Sequence, residues 1–321
     1  MSKKLKKIVC LGGGNAMPRA VLAGLKKCPV RLSVVCAMLD SGGSAGKLRK
    51  EFNIISPGDI RRSLVALANT SPSIVDLLNY RFKKGELRGH NFANLFITAL
   101  ELTTHNYEKT IKEVSRFLNV KQEVLPATLD NSNLYAILEN GRVVSGETNI
   151  DIPKHDGKLK IRKVFLKPQA RTYPKAVEAI KKADLIVIGP GDLYSSIIQI
   201  LLTKGMSGAV KKSKAKKVYI CNLMTKYGET GEFKVSDFAG EIEKYLGQEL
   251  DYVIYNTKKP SKERLRKYKK RNPELLELVK YNPDDFLKSR TKFLGVDLLA
   301  PSGDVIHDPK KVSKIILKLS K

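Results

Sequence analysis

Ile8-Val9-Cys10-Leu11-Gly12-Gly13-Gly14-Asn15 is an apolar, β-branched run that breaks directly into a glycine turn. The next apolar run, Leu32–Leu39, does the same, breaking into Asp40-Ser41-Gly42-Gly43-Ser44-Ala45-Gly46. Glycine between a strand and a helix removes the Cβ that would block an anion from the helix's first turn, where unpaired N–H groups and the helix dipole favour negative charge. The two joints predict an α/β fold with a Rossmann-like, doubly wound and mainly parallel sheet and helices on both faces. They also point to a nucleotide or phospho-ester ligand.

Outward from these joints, Met17, Val21, Leu22 and Leu25 keep helical spacing, with Pro18 in the first turn where a missing N–H costs little. Asp59 is placed to cap a helix through Leu64, Val65 and Leu67, and further helices are predicted at Ile74–Phe82, Phe92–Leu102 and Tyr107–Leu118. Short alternating runs around Asn140-Gly141, a hairpin signal, predict a small antiparallel excursion over about 122–165. The α/β rhythm then returns with helix Lys175–Lys182, strand Asp184–Ile188, strand Lys217–Cys221, helix Asp237–Leu246, strands Tyr252–Tyr255 and Lys292–Leu299, and a final helix from Pro309. Strands alternating with helices imply a parallel sheet. Residues 258–290, dense in charge and broken by Asn-Pro pairs at 272–273 and 282–283, are expected to form a charged helical insertion, a basic surface lid on a single domain spanning 1–321.

With 321 residues, 42% of them hydrophobic, the chain can bury a full core. No apolar run approaches the roughly 18–20 residues that span a bilayer, and the basic start (Lys3, Lys4, Lys6, Lys7) leads into a strand-length run rather than a signal peptide, so a cytoplasmic protein is expected. A formal charge of +27 attracts polyanions. Because the excess is lysine spread along the chain, with few aromatics and no recognisable module, specific nucleic-acid binding is not expected; only Lys258–Arg271 concentrates the charge. Cys10, Cys28, Cys36 and Cys221 lack C-x-x-C spacing, which argues against disulfides and zinc, and no metal ligands are assigned.

Ligands of a doubly wound sheet gather beyond the carboxyl ends of its strands. Four turns belong there: Gly12–Asn15, Asp40–Gly46, Gly189–Asp192 and Asn222–Thr225. They supply the candidate ligand-binding residues Gly13, Gly14, Asn15, Asp40, Gly42, Gly43, Ser44, Gly189, Gly191, Asp192, Tyr194, Asn222 and Met224. Met17 stands where the dinucleotide fingerprint needs its third glycine, and Ser41 and Leu48 depart from a P-loop, so neither label applies. Arg49 and Arg62, with Arg19 and Arg61, lie within or just past the first turns, and a guanidinium fork suits phosphate. Their alternative is a solvated helix face, least so for Arg49. Asp40 and Asp59 could bind a ribose hydroxyl or help hold Mg²⁺ among phosphate oxygens; Asp59 reads first as an N-cap and Asp40 first as a ligand. His90 and Asn94, four apart, share a helix face, with a capped helix start as the alternative. No cysteine has a paired histidine, so any reaction would be transfer at phosphorus, and catalytic residues stay unassigned.

Read in order, Gly12-Gly13-Gly14, Asp40–Arg49, Pro57-Gly58-Asp59-Ile60-Arg61, Gly89-His90-Asn91-Phe92-Ala93-Asn94-Leu95, Leu125-Pro126-Ala127-Thr128, Gly189–Ile197 and Cys221–Thr225 resemble the YvcK-like family of gluconeogenesis factors, within the superfamily of the CofD 2-phospho-L-lactate transferases. The resemblance covers nearly the whole chain. It implies a cytoplasmic protein that binds a nucleotide sugar such as UDP-N-acetylglucosamine and links carbon metabolism with cell-wall synthesis and cell shape. The alternative it carries is a metal-dependent 2-phospho-L-lactate transferase-type enzyme acting on a nucleotide diphosphate donor, with Mg²⁺ as the ion such a ligand would bring. A regulatory protein partner and a homodimer are both compatible with it. The chain departs from the family pattern at Asn15-Ala16, where Thr-Gly is usual, at Ser41, where a second aspartate is usual, and at Ile306, where an arginine precedes His307-Asp308.

Overall fold

In chain order the strands are β1 (Lys6–Gly12), β2 (Val30–Cys36), β3 (Glu123–Pro126), β4 (Asn133–Leu138), β5 (Val143–Ser145), β6 (Ile161–Lys167), β7 (Leu185–Ile188), β8 (Lys216–Ile220), β9 (Met224–Lys226), β10 (Tyr252–Asn256), β11 (Leu275–Leu278) and β12 (Lys292–Val296). They are seen in a computed structural model that describes residues 5–287 and 289–321. Lys3 and Lys4 of the basic start, and Lys288 of the charged segment, lie outside the described residues.

Seven strands form one sheet in the order β12-β10-β8-β7-β1-β2-β3, with every neighbouring pair parallel. The expected doubly wound sheet is borne out. Each residue of β7 is fully buried, as a central strand covered on both faces requires. Burying one such Leu, Ile or Val side chain contributes about 1.5–3 kcal/mol. The chain builds outward from β1 through β2 to β3, then returns to the other side of β1 and proceeds through β7, β8, β10 and β12. At that reversal the connections after β1 and β7 part, which leaves a crevice beyond their carboxyl ends. Both connections enter their helices through wide turns at Pro18–Leu22 and Leu193–Ile198; in the second, the Ile197 amide reaches back five residues to the Asp192 carbonyl.

The antiparallel excursion pairs β4 with β5 and β6, and Gly141 takes a positive φ in the predicted hairpin. Its expected first residues belong elsewhere: Glu123–Pro126 joins the central sheet as an edge strand parallel to β2, because Val124 and Leu125 continue the core. After β5 the chain turns at Gly146 into the short helix Glu147–Asp151, which folds back toward the sheet's carboxyl rim. The charged segment forms helix Lys262–Arg271 and strand β11, which pairs antiparallel with β9. Leu265, Tyr268, Leu275 and Leu278 pack there on a small apolar cluster of Leu223, Met224, Leu299 and Val305. Among the described residues no helix is long and apolar enough to cross a membrane.

Two glycines test this packing in opposite directions. A Cβ on Gly46 would collide with the Ser41 carbonyl inside the second rim turn, whereas one on Gly240, exposed in the middle of helix Val235–Leu246, would meet no atom within 4 Å. Gly46→Ala is expected to destabilise the protein by about 1–3 kcal/mol through overpacking. Gly240→Ala should stabilise it by about 0.5–1 kcal/mol, because glycine in a helix interior loses more backbone entropy on folding than alanine. Urea midpoints of the two variants check both signs.

Candidate functional site

The loops after β1 and β7 meet at the rim: a Cβ on Gly191 would stand 3.5 Å from the Gly13 carbonyl, and one on Gly14 3.3 Å from Ser196 Oγ. The loop after β2 faces them across a crevice of about 250 Å³, walled by Gly14 and Asn15, Asp40 and Gly42–Ala45, and Asp192 and Ser196. A second hollow of about 230 Å³ shares Asn15 and Asp192 with it and runs along Gly191, Asn222 and Met224 toward His307. Three of the four predicted turns therefore line the crevice, and the fourth lines its extension.

One wall is built to meet an anion. Helix Gly43–Phe52 starts from Gly42 with no side-chain cap, and Gly43 sits at φ +49 with open space where a Cβ would be. The first amides of a helix have no intrahelical acceptor, so this start presents N–H groups and the positive end of the dipole. Beside it, Arg61 Nε is buried and has no hydrogen-bond partner among the described residues. Burial, followed by repulsion from Arg62 and Arg81, pulls the Arg61 pKa down to about 10. Asn94, 3% exposed, lines the same space, and its buried side-chain oxygen has no partner among the described residues.

The opposite charge is gathered around it. Asp59, 5% exposed, accepts the Gly14 amide at 2.9 Å and pairs with Arg62, which also lies 3.4 Å from Asp40. Burial raises the Asp59 pKa and Arg62 draws it back. Burial likewise opposes the Arg62 charge, but Asp59 and Asp40 more than offset it and hold the guanidinium cationic. The excursion then delivers two carboxylates that sequence reasoning missed. Glu147 accepts the Ser41 amide at 3.2 Å, so a carboxylate from a distant segment stands beside the position where the family pattern has its second aspartate. Asp151 pairs with Lys226, whose ammonium is also 3.1 Å from Asp192. Glu229, 5% exposed, accepts the Tyr194 amide at 2.7 Å and the Ser195 hydroxyl at the start of the helix after β7, and burial raises its pKa to about 7. Glu147 and Asp151 are four apart on one helical turn, a spacing legible in the sequence but given no weight there.

Asp151, Asp192 and Glu229 bring one carboxylate oxygen each within 4.8 Å of one another, a donor set that suits a hard divalent cation. Lys226 already serves as their cation, since Asp192, Glu229 and Asp151 raise its pKa against the opposing effect of burial. A metal ion would have to displace it.

Several predicted residues take other roles. Arg49, expected at the phosphate, is 9% exposed and points away from the crevice, donating to the carbonyls of Leu39 and Ser132 and to Asn131 Oδ1 at 2.6 Å. Of the Arg61-Arg62 pair, Arg62 is held by two carboxylates, and Arg61 is the one whose Nε has no partner among the described residues. Asp59 does not cap its own helix with its side chain but reaches across to Gly14. Tyr194 is 1% exposed with its phenol against Glu241, and burial raises its pKa. Gly189 shapes its turn, joined to Pro190 by a cis peptide. His90 lies 3.3 Å from Ser44 Oγ and braces the second turn from behind, while Asn91 caps the helix that carries Asn94. Asn222 holds Gly191 with both arms, donating to its carbonyl at 2.8 Å and accepting its amide at 3.4 Å. His307 is buried against the Cys221 carbonyl at 3.1 Å, and burial lowers its pKa to about 4.

Residues 8–299 match the family described as 2-phospho-L-lactate transferase CofD. The chain is 39% identical to the gluconeogenesis factor of Listeria innocua, over 99% of this chain and 97% of that protein. It is 38% identical to the gluconeogenesis factor of Bacillus subtilis, over 98% of each. It is also similar to the crystal structure of a UPF0052 family member from Bacillus halodurans, with a TM-score of 0.92 at 36% identity, covering 98% of this chain and 100% of the other.

Glu147 gives the crevice a pH signature. Burial, then repulsion from Asp40 and Asp151, raises its pKa to about 9. The folded protein thus keeps a proton that the unfolded chain releases near pH 4.5, so the associated stability is complete below that pH and is lost as pH rises toward 9. Glu147→Gln retains the neutral shape and cannot ionise. Between pH 6 and 8.5 the ligand-free wild type should lose at least about 1 kcal/mol more than the variant, the equivalent of one pKa unit. Thermal melts across that range check it, and parallel declines would contradict the assignment.

Proposed function

The chain belongs to the 2-phospho-L-lactate transferase CofD family, and from that premise we propose that it is a regulatory protein that binds a nucleotide sugar of the UDP-N-acetylglucosamine type across the rim crevice. The observation that carries this reading is Arg61: a guanidinium with a buried, unpartnered Nε, crowded by two other arginines and facing the uncapped start of helix Gly43–Phe52. A buried cation without a partner is costly until an anion arrives. A pyrophosphate placed between Arg61 and the Gly43–Ala45 amides meets both needs. Asn94 offers an acceptor oxygen and so selects a donor, which a sugar hydroxyl is. The base then follows the second hollow along Gly191 and Asn222.

Lys226 as the resident cation of Asp151, Asp192 and Glu229 favours binding over metal-assisted transfer. The name gluconeogenesis factor, carried by relatives that match along their whole length, fits a cytoplasmic reporter of sugar-nucleotide supply that links carbon metabolism to cell-wall synthesis and shape. Tyr268, Asn272, Glu274 and Leu275 of the charged segment line the second hollow, which supports a lid role for that segment.

Calorimetry with UDP-N-acetylglucosamine tests the reading: saturable binding is expected, and no heat at millimolar ligand with folded protein would overturn it. Arg61→Gln should weaken binding about ten- to a hundredfold, the loss of one charge-assisted hydrogen bond of about 1.5–3 kcal/mol. Because burial and the charges of Arg62 and Arg81 oppose the Arg61 cation more than Asp59 and Asp40 favour it, the same variant should melt no lower than wild type, which separates a binding role from a structural one.

A further inference from the structure

Past Asn222 and Leu223, which also line the second hollow, the rim opens into a chamber of about 610 Å³, more than twice the volume of the crevice. Its floor is apolar, formed by Leu223, Leu278, Val279 and the ring of Tyr255. Its mouth is cationic. Lys258 and Lys259 follow β10, Lys269 comes from helix Lys262–Arg271 and Lys280 follows β11. Among the described residues only Lys280 of these four has an ion-pair partner, Glu277 at 2.9 Å. The walls are fixed by backbone pairing, the Val279 amide on the Leu223 carbonyl at 3.0 Å and the Val235 amide on the Lys280 carbonyl at 2.9 Å.

Bringing like charges from three elements to one concavity opposes folding, and concave low-dielectric walls strengthen the field they make. A mostly apolar hollow of this size, bearing a few convergent polar groups, has the dimensions and lining of a small-molecule site. The crevice ligand does not need it. We propose that the chamber is a second ligand site, for an organic anion whose charged group meets Lys259 and Lys269 and whose apolar or planar body lies on Leu223, Leu278 and Tyr255.

The fluorescent probe 8-anilinonaphthalene-1-sulfonate, a sulfonate on a planar apolar body, tests this on the full chain. One equivalent should bind the wild type with enhanced, blue-shifted emission, and binding should weaken as salt is added. Lys259→Glu combined with Lys269→Glu should lower affinity at least tenfold, while the exposed control pair Lys181→Glu and Lys314→Glu changes it less than twofold. Tyr255→Ala, which removes the planar floor and leaves the charges, should lower it at least threefold. Arg61→Gln and saturating UDP-N-acetylglucosamine should leave the probe bound. Unchanged affinity in the folded Lys259/Lys269 variant, displacement by the nucleotide sugar, or no stoichiometric binding would each overturn the second site. A failure of the crevice reading shows differently, as absent calorimetric heat with probe binding intact.

Discussion

One buried carboxylate sets the geometry of the rim. Asp59 accepts the Gly14 amide after β1 and pairs with Arg62, which in turn faces Asp40 after β2, so a single side chain fixes two strand-to-helix joints against each other. It leaves no room for error: a Cβ on Gly13 would stand 2.5 Å from Asp59 Oδ2, and one on Gly58 2.5 Å from Asp40 Oδ2. Buried ion pairs are stable only when their remaining hydrogen-bonding capacity is used, and here a backbone amide and a guanidinium use it. The glycines of these turns thus serve packing first. Only Gly43, open to the crevice, keeps the unencumbered approach that a ligand requires.

Around that anchor the charges divide. On one side, Arg61 and the uncapped helix start lack an anion; on the other, Asp151, Asp192 and Glu229 crowd round Lys226. An anionic ligand satisfies the first group and is repelled by the second, so its charged centre is confined to one end and its hydroxyl-bearing part to the other. On the proposed reading, such polarity orients a pyrophosphate with a sugar attached.

The arginines show where reading a sequence stops being enough. Arg49 follows the second turn in a position that suits phosphate, yet the backbone carbonyls of Leu39 and Ser132 capture it, because helix Gly43–Phe52 turns that face toward the start of β4. Arg61 and Arg62 are adjacent and chemically identical; the helix points them in directions about 100° apart, and only one meets Asp59. Ser41 reads locally as the loss of an acid, but Glu147, more than a hundred residues away, lies against its amide.

By itself the sequence determined the parallel sheet, the strand-to-helix joints, the hairpin excursion and the rim on which ligands gather. Those follow from apolar runs, glycine and helical spacing, which act over a few residues. The tertiary structure alone decided which arginine stays without a partner, that the excursion lends its carboxylates to the crevice, and that the basic segment walls a chamber. Each of these depends on groups far apart in the chain arriving at one place, and burial and neighbouring charge, which set what a side chain can bind, exist only once they have.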